Sequence, residues 1–139
     1  MERANRPTAL VARDHYMFMF TAADMQGALD QELIKNNVLT CLAHGFDVIF
    51  EGNFKPEDHE LLLHSLLAAH PEENYIFYLN ASLTETLRRH NTRDQILSAV
   101  EMEALYSRAR PLGRPAEVVI DERSSLEETV KVIKTASGT

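Results

Sequence analysis

The sequence predicts an α/β protein built on a mostly parallel sheet of about four strands. Two observations carry this reading. Short apolar runs alternate with longer amphipathic ones along the chain, and strands alternating with helical segments are the signature of parallel crossovers. The apolar runs are also nearly continuous, as in strands covered on both faces. Composition sets the frame. The 139 residues are 45% hydrophobic and 25% charged, the mixture of one ordinary globular domain. Fourteen basic against twenty-one acidic side chains leave a net charge of −7, which argues against a dedicated nucleic-acid binder. A lone cysteine, Cys41, excludes an internal disulfide and any zinc site made of several thiolates. No apolar run reaches the ~20 residues of a membrane span, and the first residues lack a signal peptide's apolar stretch. The expected location is therefore cytoplasmic, in a single domain over 1–139.

The elements follow in order. Thr8 to Ala12 is a short apolar run and the first strand. Met17 to Phe20 is apolar and reads as core packing rather than a cofactor box, with the lining of a substrate pocket as the alternative. From about Met25 to Ala43, Leu29, Leu33, Ile34, Val38, Leu39 and Leu42 recur at helical spacing, which puts Cys41 inside a helix and more naturally in the core than in a nucleophile's role. Phe46 to Phe50 is the second strand, β-branched and aromatic and bracketed by Gly45 and Gly52. Pro56 with Glu57 and Asp58 opens the next helix, acids sitting at the positive end of its dipole. Leu61 to Leu67 give it an apolar face and Pro71 ends it. Tyr75 to Leu79 is the third strand. Ser82 and Glu85 have capping-box spacing ahead of a helix. Residues 95–108 read as a further, more polar helix, so that about 82–110 forms a lid-like helical region. Glu117 to Asp121 is the fourth strand, and Ser125 with Glu128 repeats the capping box before Leu126, Val130 and Ile133.

Ligands of open parallel sheets gather at the carboxyl ends of strands. Asp14 follows the first strand and Glu51 ends the second, so both carboxylates fall on one edge. There a carboxylate can take a proton from a hydroxyl or hold Mg²⁺ through water; the plainer alternative is that both cap loops and helix starts. His15, Tyr16 and Asn53 accompany them as candidate substrate-binding residues. Arg88, Arg89 and Arg93 form the second constellation. Arg89 and Arg93 are i,i+4 neighbours and can grip phosphate, against the alternative of a solvated basic stripe. The six histidines are scattered without metal-ligand spacing, so no metal cluster is expected.

The block from His44 to Phe54, the run from Tyr78 to His90, and Val119 to Glu122 with Ser124 to Val130 resemble, in this order, the small P-loop kinases grouped with zeta toxins, chloramphenicol phosphotransferase and adenylylsulfate-kinase-like proteins. The resemblance covers roughly residues 8–134 and is specific as a set rather than at any one motif. It implies a three-layer sandwich of P-loop NTPase type, ATP and Mg²⁺ as cofactors, and phosphoryl transfer to a small-molecule hydroxyl. Asp14 matches the Asp that contacts the acceptor hydroxyl, Glu51 the acidic end of the Walker-B-like strand, and Arg88, Arg89 and Arg93 the lid arginines. The loop after Ile120 matches the region passing near the adenine. Met17 stands where the family often has an Arg.

The 139 residues contain no G-x-x-x-x-G-K-[ST] phosphate loop, and none of the five glycines is followed by Lys. The family's P-loop strand and helix are thus absent from this stretch, and with them the strand that lies between the second and third strands of this chain. Three outcomes are open: direct pairing of residues 46–51 with 75–79, which is the favoured expectation; a strand from a partner chain or homo-oligomer covering the exposed sheet centre; or a longer gene product. Two functions follow. One is a kinase that is inactive or weak for want of its cradle, acting on a small molecule or nucleotide. The other is a non-catalytic, degenerate binding or interaction protein. A hydrolase using the same carboxylates ranks third, because no G-x-S-x-G or Ser/His/Asp arrangement can be named.

Overall fold

The computed structural model describes residues 6–20, 28–71, 74–92 and 97–138. It is mixed α/β, with the order β1 (Thr8–Ala12), α1 (Arg13–Phe18), α2 (Ala28–Ala43), β2 (Asp47–Glu51), α3 (Pro56–Ala69), β3 (Ile76–Asn80), α4 (Leu83–His90), α5 (Ala99–Tyr106), β4 (Glu117–Asp121) and α6 (Leu126–Ser137). Two compact units divide the chain, residues 1–74 and 75–139. Among the described residues, no helix is long and apolar enough to cross a membrane.

The first unit is organised by one parallel ladder, β1 on β2, in the register Thr8↔Asp47 through Ala12↔Glu51. Side chains alternate across such a pair. Val11, 3% exposed, faces Ile34 and Val38 of α2 and Leu62 of α3, and these four make the core, with Val48 and Phe50 packed against it. Ile34 is fully buried. The helical period in α2 therefore predicts the right face. The other face of the ladder differs from expectation: partners Leu10 and Ile49 are 67% and 57% exposed. The apolar continuity of these strands is thus not matched by cover on both faces. Pro56 stands at the start of α3 as expected, with Glu57 and Asp58 in the first turn. Leu61, however, is 85% exposed; only part of the leucine run faces inward.

The second unit repeats the plan, β3 on β4 in parallel, from Ile76↔Glu117 to Asn80↔Asp121. Ile120 is its buried aliphatic residue. Ser125 and Glu128 form a complete reciprocal capping box on α6, as the sequence predicts. A second complete box, Ser98 with Glu101 on α5, lies within the polar stretch and is not singled out by its sequence.

Three expectations are corrected. β2 and β3 do not pair; the four strands form two separate two-stranded sheets, β1–β2 and β3–β4. Arg13–Phe18 is a short helix that no sequence signal marks. Its residue Phe18, and Met19 beyond it, are 64% and 59% exposed, so the Met17–Phe20 run does not serve as a core segment throughout. Cys41 is half-buried rather than core, its thiol 3.5 Å from the Asn37 side-chain oxygen.

Candidate functional site

The carboxyl edge of β1–β2 carries the first set of candidates. Ala12 and Glu51 are ladder partners at the ends of their strands. Glu51 is exposed there, and Asp14 is exposed in the first turn of α1, two residues beyond Ala12. Parallel pairing brings both carboxylates to one edge, because both strands run the same way. His15 and Asn53 are exposed beside them. Tyr16 is half-buried, and its phenol oxygen accepts a hydrogen bond from the Asn37 side-chain amide. That bond fastens α1 to α2.

Two residues missed in the sequence shape this edge. Arg13 crosses close over Gly52: a β-carbon at position 52 would stand 2.7 Å from the Arg13 Cβ. The stem packed there leaves the Arg13 Nε buried without a hydrogen-bond partner among the described residues. His59 of α3 is 2% exposed. Its ring meets Phe54 edge-on, with centroids 5.8 Å apart, and its Nδ1 lies 3.0 Å from the Lys55 carbonyl oxygen. Burial is the largest influence on its imidazole and pushes its pKa down, and the Arg13 charge acts the same way; the Lys55 hydrogen bond, Asp58 and Asp30 oppose them. His59 is therefore held neutral and buttresses the edge. No motif marks either residue, although Arg13 directly precedes the singled-out Asp14.

The second set sits on α4. Arg88 and Arg89 are both exposed and both turned onto Glu85. Arg88 donates from Nε and an Nη to the two Glu85 oxygens, at 2.7 Å each. Arg89 donates from Nε to the same carboxylate at 2.6 Å, and from an Nη to the Glu122 carbonyl at 3.2 Å. The hydrogen bonds from Arg88 and then Arg89 hold the Glu85 carboxyl down at about 2. This corrects the expected capping box. Ser82 does accept from the Glu85 amide, but the Ser82 amide donates instead to Glu122 at 2.5 Å. Glu122, arriving from the end of β4, takes the reciprocal half of the box and leaves Glu85 to the arginines. The i,i+3 and i,i+4 spacing of Glu85 to Arg88 and Arg89 is the signal that could have exposed this. Arg93 lies outside the described residues.

Among the described residues, no group of three or more His, Cys, Asp or Glu comes together as a metal site. No family model matches the chain, and no curated protein matches it.

Proposed function

We propose that the chain is a P-loop-kinase-like protein that handles a phosphorylated nucleotide and a small hydroxylated acceptor, with little or no transfer by these residues alone. The observation that carries the reading is the pair of carboxylates, Asp14 and Glu51, on the carboxyl edge of a parallel ladder. Phosphoryl transfer is largely positioning and charge stabilisation. In this reading Asp14 takes the proton from the acceptor hydroxyl, and His15, Tyr16 and Asn53 contact the acceptor. Mg²⁺ is commonly held by one or two carboxylates together with substrate phosphates and water. Glu51 supplies one such carboxylate, which needs no larger ligand cluster, and leaves the proton to Asp14. When bound, ATP would supply the phosphoryl group and Mg²⁺ would offset its charge. Arg88 and Arg89 neutralise phosphate oxygens, and Arg93 belongs to the same proposed set.

The strand pairing supports the finer reading of a P-loop-type sheet. The family's phosphate-loop strand is expected next to the second and third strands of this chain, and those two strands each find their partner in β1 and β4 instead of one another. A non-catalytic binding protein is the second reading. It is favoured by one specific observation, the engagement of both arginines by Glu85, and by the lack of a G-x-x-x-x-G-K-[ST] sequence in the 139 residues. Thermal-shift titration with ATP and Mg²⁺ tests the shared claim: saturating nucleotide raises the melting temperature by mass action, and an unmoved transition at millimolar nucleotide refutes nucleotide binding. Asp14→Asn then separates the two readings. It lowers turnover far more than nucleotide affinity if the protein transfers phosphate, and changes neither if the protein only binds.

A further inference from the structure

We propose that Glu85 is a built-in competitor for the anion site of α4: its carboxylate takes the Arg88 fork and the Arg89 Nε–H, and a phosphoryl group binds there only by displacing it. The inference rests on the reading of these arginines as phosphate-binding and adds how that site is held when empty.

Geometry carries it. Three guanidinium N–H groups from two arginines converge on the two oxygens of one carboxylate, at 2.6–2.7 Å. Such convergence of charged donors on planar oxygens is also how arginines receive a phosphoryl group, so the carboxylate mimics the ligand. A glutamate three residues into a capped helix ordinarily folds back to the N-cap amide. Here that amide is already satisfied by Glu122, which removes the pull that would draw Glu85 away from the arginines. Arg89 keeps its hydrogen bond to the Glu122 carbonyl, an anchor independent of Glu85. When Glu85 leaves, one fork is therefore still oriented. The contacts are solvent-exposed, with Arg88 and Arg89 side chains 65% and 48% accessible. Exposed pairs are weak and readily exchanged, so this is a competitor that a multiply charged anion can displace rather than a lock.

The test uses the whole chain and inorganic pyrophosphate as the probe, titrated calorimetrically at low salt. Glu85→Gln keeps the size of the side chain and a residue suited to the third helical position, while removing the charge. It is expected to bind pyrophosphate about three- to tenfold more tightly than the unmodified protein, the range that one or two exposed ion pairs can supply. Glu127→Gln, the same charge change on α6, is expected to leave affinity within about twofold. Arg88→Ala/Arg89→Ala abolishes binding. Pyrophosphate also frees the carboxylate, which is read in a ¹³C titration of Glu85 as a midpoint rising from about 2 towards the value of an unpaired glutamate. Glu85→Gln binding no better than the unmodified protein, while the arginine double variant loses binding, overturns the competitor and leaves the arginine site standing. An equal gain in Glu127→Gln assigns the effect to net charge and overturns it too. No pyrophosphate binding by any variant overturns the arginine site itself, and the competitor with it.

Discussion

Gly52 lies between two candidate site residues, Glu51 and Asn53, and its missing side chain is what lets Arg13 pass. Gly52→Ala tests that arrangement. The new Cβ would meet the Arg13 Cβ at 2.7 Å, and the Arg13 Cδ and the Phe54 ring at 3.4 Å. The last two are ordinary contacts. The first is not, and its atom is fixed to the backbone of α1, so it cannot swing aside as a side-chain end would. Restoring normal carbon–carbon contact requires the two segments to part by about 0.7 Å. Overpacking of this kind costs about 1–3 kcal/mol, read as a lower midpoint in urea unfolding at constant slope. A double-mutant cycle identifies the clash. Arg13→Ala retains the offending Cβ and leaves the Gly52→Ala penalty in place. Arg13→Gly removes that atom and recovers the part of the penalty due to the clash, beyond its own cost of about 1 kcal/mol at the start of a helix; the strain of a side chain at the Gly52 φ of +157° remains. Gly52→Ala with a stability within ~0.3 kcal/mol of the parent, or rescue by Arg13→Ala equal to that by Arg13→Gly, refutes the reasoning.

Ile34→Ala empties the centre of the first unit's core and is expected to cost about 2–5 kcal/mol, measured in the same denaturation assay. His59 has a folded pKa below that of the unfolded chain. The unfolded state therefore takes up a proton that the fold refuses, so stability is complete above pH 6.5 and falls as pH drops through that value. His59→Gln flattens this part of the urea-midpoint profile, and an unchanged slope between pH 7 and 5 contradicts the assignment. Glu85 has the opposite sense in charge. Its pairing contributes above its unfolded pKa of 4.5 and is lost as pH falls from there towards about 2; the ¹³C midpoint of Glu85 should move up in Arg88→Ala/Arg89→Ala, and added salt should weaken the pairing.

The sequence made the elements legible where local chemistry decides them. Thr8–Ala12 and Glu117–Asp121 match their strands residue for residue, and Phe46–Phe50 and Tyr75–Leu79 each lie one residue from theirs. Pro56 and Ser125 mark real helix starts. Pairing was less legible, since a ladder is a contact between distant segments and no residue in β2 declares β1 rather than β3 as its neighbour. The short helix Arg13–Phe18 escapes notice because it has no capping side chain on Ala12. In the candidate sites, Asp14 and Glu51 could be placed from strand polarity alone. The engagement of Arg88 and Arg89 could not, because it depends on Glu122 arriving from the far end of β4 to occupy the Ser82 amide. Neither could the burial of His59, which takes Phe54 and the neighbouring helix to create.

The parallel ladders also set a timetable for synthesis. Thr8 pairs with Asp47, 39 positions later, and Ile76 with Glu117, 41 positions later. Neither pair can close as a hairpin. At about 5–20 residues per second, the first strand of each unit leaves the ribosome about 2–8 seconds before its partner exists. Through that interval Leu10 and Val11 have no ladder to join, although α2, which packs on β1, is made before β2.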